Sequence, residues 1–452
     1  MCGTKNETKR REIFFMKEKE QGAPASGGKL KKNIATLLIL TISGAMVYSL
    51  PYFRNYYYDA FLESFNITNT QMGLLGSVFG GFSIIAFFLG GFCADRWPAK
   101  KLLPLSLFAT GGMGLLLLLK PPFWAIFLIH ALWGITAILT FWSALIKALR
   151  SIADEDEQGK VFGFFEGGRG ITNMVQSALV LGMFGFLSSK INTNFALMTV
   201  IVVYSAINII LGILVIIFYK EEKFERQTGA LINVPAMKRL LKMPTTWLHV
   251  IIIFCSYAIC CSYFYITPYA TAVFGATAVI GAAMGYFSQY CRPIGCFVAG
   301  MAADKIGSSK VCAISYAILV VGLIGVIFTP GKPSMIFMLL VFCAAVYASM
   351  YGCQSMHFAI MEEGDYPMEI TGTANSILTP LGYSVELFAP MVAGLCIDHW
   401  AGATGYKVFF GILTVLAAIG FIATLLWMAK TKDRRMEIEA TKKAKAAAKA
   451  KK

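Results

Sequence analysis

A backbone that crosses a bilayer has no water to satisfy its N–H and C=O groups. A run of about 20 apolar residues therefore confines a chain to helix more tightly than any short motif does. This chain carries twelve such runs, at roughly 33–61, 71–93, 101–119, 123–148, 161–188 and 195–219, then 245–273, 277–301, 311–329, 334–361, 369–396 and 404–429. Composition agrees: 57% of residues are hydrophobic and only 14% charged, against about 25% charged in soluble domains. The expected fold is an all-α integral membrane protein with twelve transmembrane helices, which sets aside a soluble enzyme with a large core.

The net charge of +15 sits in the tails and short loops, a pattern of membrane orientation and anionic headgroup contact rather than of nucleic-acid binding. With both termini inside, the cytoplasmic segments hold Arg96, Lys100, Lys101, Lys147, Arg150 and Lys160, the linker cations Lys220, Lys223, Arg226, Lys238, Arg239 and Lys242, then Lys305 and Lys310. The opposite side holds Lys120, Lys190, Lys332 and Lys407. Both ends are therefore expected in the cytoplasm; low acidity and a short central loop fit a bacterial inner membrane, with a eukaryotic plasma membrane as the alternative. The division expected is a basic tail 1–32 without a cleavable signal, a six-helix bundle 33–219, a cytoplasmic linker 220–244, a second bundle 245–429, and a basic tail 430–452 ending in TKKAKAAAKAKK. The eleven cysteines lack metal-ligand spacing, and the pair Cys260–Cys261 reads as buried free thiols.

The chain repeats itself. A shift of 209 residues places Gly76 on Gly285, Gly91 on Gly300, Asp95 on Asp304, Arg96 on Lys305 and Gly163 on Gly372. A duplicated six-helix unit with a cavity between its copies is the expectation for an alternating-access carrier. The loop GGFCADRWPAKK, residues 90–101, with its degenerate copy GMAADKIGSSK at 300–310, resembles the signature loop of the major facilitator superfamily. In such a loop a carboxylate at a helix end can latch two helices in one state and release them in the other, giving Asp95, Arg96 and Asp304 a gating role.

Three further stretches resemble the organophosphate:phosphate antiporter family: YSLPYFRNYYYDAF running on to GLLGSVFGGFSIIAFFLGGFCADR, YCRPIGCFVAGMAADK at 290–305, and EEGDYPMEITGTANSI at 362–377. The resemblance implies that an arginine in an aromatic-rich first helix, here Arg54, grips the substrate's anionic group. It also implies a second arginine in the seventh span, where this chain reads ICCSYFYITPYA at 259–270. That departure points to a divergent relative handling another organic anion.

Charges within spans cost at least roughly 2.5–3.5 kcal/mol each, so they should face the bundle interior. They are Arg54, Glu166, Arg169, Arg292 and Glu386, with Asp59 near the end of span 1. At 100° per residue Tyr57 and Tyr58 share the face of Arg54, whereas Asp59 lies about 140° away and should not neutralise it. Glu166, Arg169, Asn173 and Gln176 form one stripe on span 5, whose glycines 163, 167, 168 and 170 should admit a close neighbour. Gln289 and Arg292 share a face on span 8, where Pro293 should bend the helix, and Asn375, Thr379, Tyr383 and Glu386 line span 11. Arg54, Arg169 and Arg292 are thus candidate anion ligands, with Tyr48, Tyr52, Tyr58, Asn173, Tyr263 and Tyr383 beside them. Glu166 and Glu386 are candidate proton-coupling groups.

Structural alternatives stand next to these: a permanent Glu166–Arg169 pair, an Arg292–Glu386 pair, Arg54 snorkelling to headgroups, and tyrosines or His130 and His357 that only pack. The expected partners are a small-molecule anion and the lipid bilayer, with no nucleic acid. No nucleophile–base set, metal cluster or phosphate loop is visible, so no enzyme activity and no cofactor are expected. A monomer is usual for the superfamily. The competing readings are a proton-coupled carrier of neutral sugars and a transporter-like ligand sensor; the first leans on the glutamates, the second on a cytoplasmic docking surface.

Overall fold

The computed structural model describes residues 29–152, 158–221, 234–357, 359–364, 366 and 371–440. Within them the chain is helical, and twelve rods run alternately between two ends. α1 comprises Ile34–Met46, Ser49–Tyr56 and Tyr58–Phe65, α2 is Asn69–Arg96, and α3 is Ala99–Leu117. α4 comprises Phe123–Ile135, a π-helical stretch Thr136–Trp142 and Ser143–Ser151; α5 is Gln158–Lys190 and α6 is Thr193–Phe218. In the second half α7 comprises Pro244–Cys260, Tyr263–Tyr265 and Ile266–Phe274, α8 is Ala278–Ile306, α9 is Ser308–Phe328 and α10 is Ile336–Met356. α11 comprises Thr371–Tyr383, Ser384–Leu387 and Ala389–His399, and α12 is Ala403–Lys430. Among the described residues nine of these are long and apolar enough to cross a membrane on composition alone, and α1 makes ten when its two bent segments count as one span. α3 opens on Lys100–Lys101 and α8 holds Gln289, Arg292, Asp304 and Lys305, polar content that lowers their average without shortening them.

Helices that must approach closely carry glycine where they touch. A Cβ on Gly73 of α2 would stand 2.2 Å from the Pro390 carbonyl oxygen of α11, and one on Gly394 of α11 would stand 2.3 Å from the Asn69 carbonyl oxygen. These two contacts join the halves at the end away from the chain termini. There the Asp398 carboxylate accepts from the Thr70 amide at 2.7 Å, the Thr70 hydroxyl at 2.6 Å and Asn69 Nδ2 at 2.8 Å. It thereby caps the first turn of α2, where the helix dipole is positive. Thr271 of α7 donates to Asp59 of α1 at 2.7 Å, closing the same end between another helix pair.

The end nearer the termini is looser. Cβ positions on Gly163, Gly167 and Gly170 of α5 meet nothing within 4 Å, while Gly168 packs on Thr41 of α1. The expected close neighbour is thus present at one of the four glycines, because α5 and α8 meet at the far end, where Gly185 faces Val279. α8 continues through Pro293 as one helix.

Two carboxylates cap helix starts at the termini end. Glu221 accepts from the amides of Ala99 and Lys100 at 2.8 and 3.1 Å. Glu363 accepts from the Ser309 amide at 3.1 Å and from Trp427 Nε1 at 3.3 Å. Arg96 and Asp304 are exposed at the ends of α2 and α8; the side chain of Asp95 lies outside the described residues, as do the tails 1–28 and 441–452. The stretch between the halves holds a short helix, Val234–Lys242, whose Leu240 is buried in a cluster with Val250 and Ile253 of α7.

Candidate functional site

Breaks in the helices build the site. α1 bends by 43° between its first two segments, which turns Tyr48 and Tyr52 inward. α7 loses its regular turn at Cys261–Ser262, and α11 tightens into a 3-10 turn at Ser384–Leu387 that carries Glu386. Polar side chains at such breaks can leave the helix faces that meet lipid. Between the halves, at mid-depth, lies a cavity of about 260 Å³, the space of roughly nine waters at about 30 Å³ each.

Two guanidinium groups line it from opposite halves. Arg169 of α5 pairs with Glu166 at 3.0 Å, and its Nε donates to the Gly44 carbonyl at 3.1 Å. Its guanidinium also lies 5.0 Å from the Trp142 ring centre, an arrangement that fixes its direction. Arg292 of α8 sits over Tyr351, 5.5 Å from the ring centre, and among the described residues forms no ion pair. The Arg292–Glu386 pair entertained from the sequence is not formed. The Glu386 carboxylate instead accepts from Tyr52 at 2.7 Å and Tyr257 at 3.1 Å. The first of these contacts joins α11 to α1 across the halves.

Of the side chains singled out from the sequence, Tyr48, Tyr52, Asn173, Gln176, Tyr263, Gln289, Arg169, Arg292 and Glu386 line the cavity. Glu166 stands beside it through its pair with Arg169. Arg54, Tyr58 and Tyr383 do not line it. Tyr383 stacks on Tyr257 with ring centres 3.9 Å apart, and Tyr58 donates to Asn69 at 2.9 Å near the closed end. Arg54 is 3% exposed, which excludes snorkelling to headgroups. It donates to Asn55 at 2.9 Å and to the Met72 carbonyl at 3.4 Å, while its Nε has no partner among the described residues. The side chain of Asn375 lies outside the described residues. Asp59, as expected, leaves Arg54 alone and bonds to Thr271.

The sequence reading missed a set of neutral polar side chains. Tyr56, Tyr204, Tyr286 and Tyr351 all reach the cavity. Tyr204 donates to Gln176 at 2.6 Å and lies 3.2 Å from the Tyr286 hydroxyl. Helical phase relative to side chains already singled out was the available signal: Tyr56 lies four residues beyond Tyr52. His130 and His357 are buried and bonded within the bundle, His130 to the Ile126 carbonyl and His357 to Ser256.

A helical bundle of two halves, joined at one end around a mid-depth polar cavity, is the architecture of an alternating-access membrane transporter. The chain belongs to the Major Facilitator Superfamily, whose family model matches residues 33–390. It is similar to the inner membrane protein YihN of Escherichia coli (strain K12), 30% identical over 424 residues that cover 90% of this chain and 98% of the relative. Inner membrane protein YqcE of the same organism is 28% identical over 411 residues, covering 88% and 95%. Among solved structures, the fold matches a bacterial homolog of the human lysosomal transporter Spinster in an inward-facing, unoccupied conformation, with TM-score 0.71 and 16% identity over 89% of this chain and 99% of that one. The nucleoside transporter NupG matches with TM-score 0.66 and 14% identity over 88% and 98%.

Proposed function

We propose that the protein is a secondary transporter of a small organic anion, a carboxylate, sulfonate or phosphate ester, held between Arg169 and Arg292. It sits in a bacterial inner membrane with both termini in the cytoplasm, and the looser termini end is its inward mouth. The observation that carries this reading is Arg292, a cavity-lining guanidinium without an ion pair among the described residues. Such a group costs several kcal/mol inside a membrane unless a ligand compensates it, and its planar fork suits an oxyanion. Arg169 enters from the other half, so an anion touching both would couple binding to closure. The test is a thermal-shift panel of carboxylates, sulfonates, organic phosphates and neutral sugars on wild type beside Arg292→Ala, followed by proteoliposome uptake. One anion class should stabilise wild type alone; equal stabilisation by neutral solutes in both proteins overturns the reading.

Glu386 favours a second reading, proton-coupled carriage of a neutral solute. It is a buried carboxylate held by two phenols and no cation among the described residues. Uptake of a neutral sugar driven by an inward pH gradient, abolished by protonophore and by Glu386→Gln, would establish it.

A further inference from the structure

Next to the guanidinium groups the cavity wall holds a cluster of hydroxyls around a single amide. Gln289 Nε2 lies 3.1 Å from the Tyr56 hydroxyl, 3.1 Å from that of Tyr263 and 3.4 Å from that of Tyr351. The Tyr56 and Tyr263 oxygens lie 3.2 Å apart. An amide nitrogen has two hydrogens to offer three oxygens, so one phenol at a time is left to another partner. The amide oxygen of Gln289 accepts from no group among the described residues. The cluster therefore presents both donors and an acceptor to the cavity, which is the complement of a molecule whose hydroxyls each donate and accept.

Its placement fixes what such a molecule must look like. Gln289 and Arg292 are three residues apart on α8, so their side chains start about 5–6 Å apart on one face. Tyr351 belongs to both groups, bonded to Gln289 and lying under the Arg292 guanidinium. A ligand whose anionic group meets Arg292 would reach the amide with hydroxyls on the one or two carbons next to that group. Tyr56 comes from α1 and the other three side chains from the second half, so such hydroxyls would also bridge the halves. Tyr263 stands 209 residues beyond Arg54, so the repeat carries a cation in one copy and a hydroxyl in the other.

We propose that Gln289, with Tyr56, Tyr263 and Tyr351, is the specificity-determining subsite of the carrier, and that it selects anions bearing vicinal hydroxyls beside the charged group. This rests on the anion reading above.

The test measures dissociation constants of the purified full chain for matched pairs that keep the anion and delete the hydroxyls: glycerate against propanoate, and glycerol 3-phosphate against propyl phosphate, with uncharged glycerol and xylose alongside. In wild type the hydroxylated member of at least one pair should bind about tenfold tighter or better, and Gln289→Leu should bring that ratio to within about twofold. Tyr263→Phe, which keeps the ring packing, should fall between the two, so a folding defect in Gln289→Leu leaves the test intact. Equal binding within both pairs in wild type, or a preference that survives Gln289→Leu and Tyr263→Phe, overturns the proposal while the anion reading stands. Binding of glycerol or xylose that is lost in Gln289→Leu, with no anion bound, keeps the hydroxyl subsite and overturns the anion reading. No binding by any member overturns both.

Discussion

Asp398 is the residue whose removal should most directly change which end of the protein is open. Its carboxylate spans from α11 to the first turn of α2 through three hydrogen bonds of 2.6 to 2.8 Å. All three are solvent-exposed, so each is worth about 0.5–1 kcal/mol net, and a carboxylate at a helix N-terminus adds about 0.5 kcal/mol. Asp398→Ala should therefore weaken the closed end by about 2 kcal/mol and move the equilibrium roughly 30-fold toward opening there. Spin labels at Glu63 and Lys332, exposed at that end on opposite halves, would report it in pulsed dipolar distance measurements. The wild type should give one short distance distribution, and Asp398→Ala a second, longer component whose ratio to the short one is roughly 30-fold above that in wild type. Asp398→Asn, which retains part of the hydrogen bonding, should lie between. An unchanged distribution in a folded Asp398→Ala protein would refute the latch, leaving the Gly73 and Gly394 contacts as the whole of the closure.

Glu363→Ala should lower stability by about 2–3 kcal/mol in thermal or chemical unfolding, because a buried carboxylate leaves both the start of α9 and Trp427 unserved; an unaltered midpoint argues against that role. Arg54→Met should raise the unfolding midpoint, by about 1–3 kcal/mol of stability, since a buried cation that forms no ion pair among the described residues and hydrogen-bonds only to neutral groups is replaced by a side chain that needs none. A lowered midpoint would mean the guanidinium is compensated in the resting protein. A double-mutant cycle of Tyr52→Phe and Glu386→Gln should show a coupling of at least about 0.5 kcal/mol across the 2.7 Å contact, and strict additivity refutes a functional link between them.

The spans were legible because hydrocarbon leaves the backbone one economical solution, and the in-span charges stood out because each is expensive. Helical phase correctly paired Glu166 with Arg169 and separated Asp59 from Arg54. What the sequence could not convey was direction after a break. Arg54 follows the bend at residues 47–48, and it turns toward α2 instead of the cavity. Glu386 follows the regular part of α11, and its 3-10 turn carries it to Tyr52 and Tyr257 and away from Arg292. Tyr56, Tyr204, Tyr286 and Tyr351 escaped notice for another reason: neutral polar side chains in an apolar run carry little insertion cost, so nothing marks those that face a cavity. The helix caps by Glu221 and Glu363 join segments far apart in the chain, beyond the reach of local spacing.

Arg54 and the latch belong to one contact. A Cβ on Gly76 would stand 2.7 Å from Pro390 Cβ and 3.0 Å from Arg54 Nη2, so Pro390 and the guanidinium crowd the same side of α2. The α2–α11 contact that Asp398 holds is therefore also part of the cover over Arg54. An opening at that end draws α11 from α2 and should uncover the guanidinium, turning a buried cation without an ion pair among the described residues into one facing the new entrance. Phenylglyoxal, which adds to accessible guanidinium groups, distinguishes the two states by mass spectrometry of the Arg54 peptide. Wild type should remain unmodified there while Asp398→Ala reacts, at least about tenfold faster if the latch is worth about 2 kcal/mol. Arg292, already lining the cavity, should react in both proteins and serve as the internal standard. Equal protection of Arg54 in both would show that its cover does not depend on α11, and would separate this arginine from the gate.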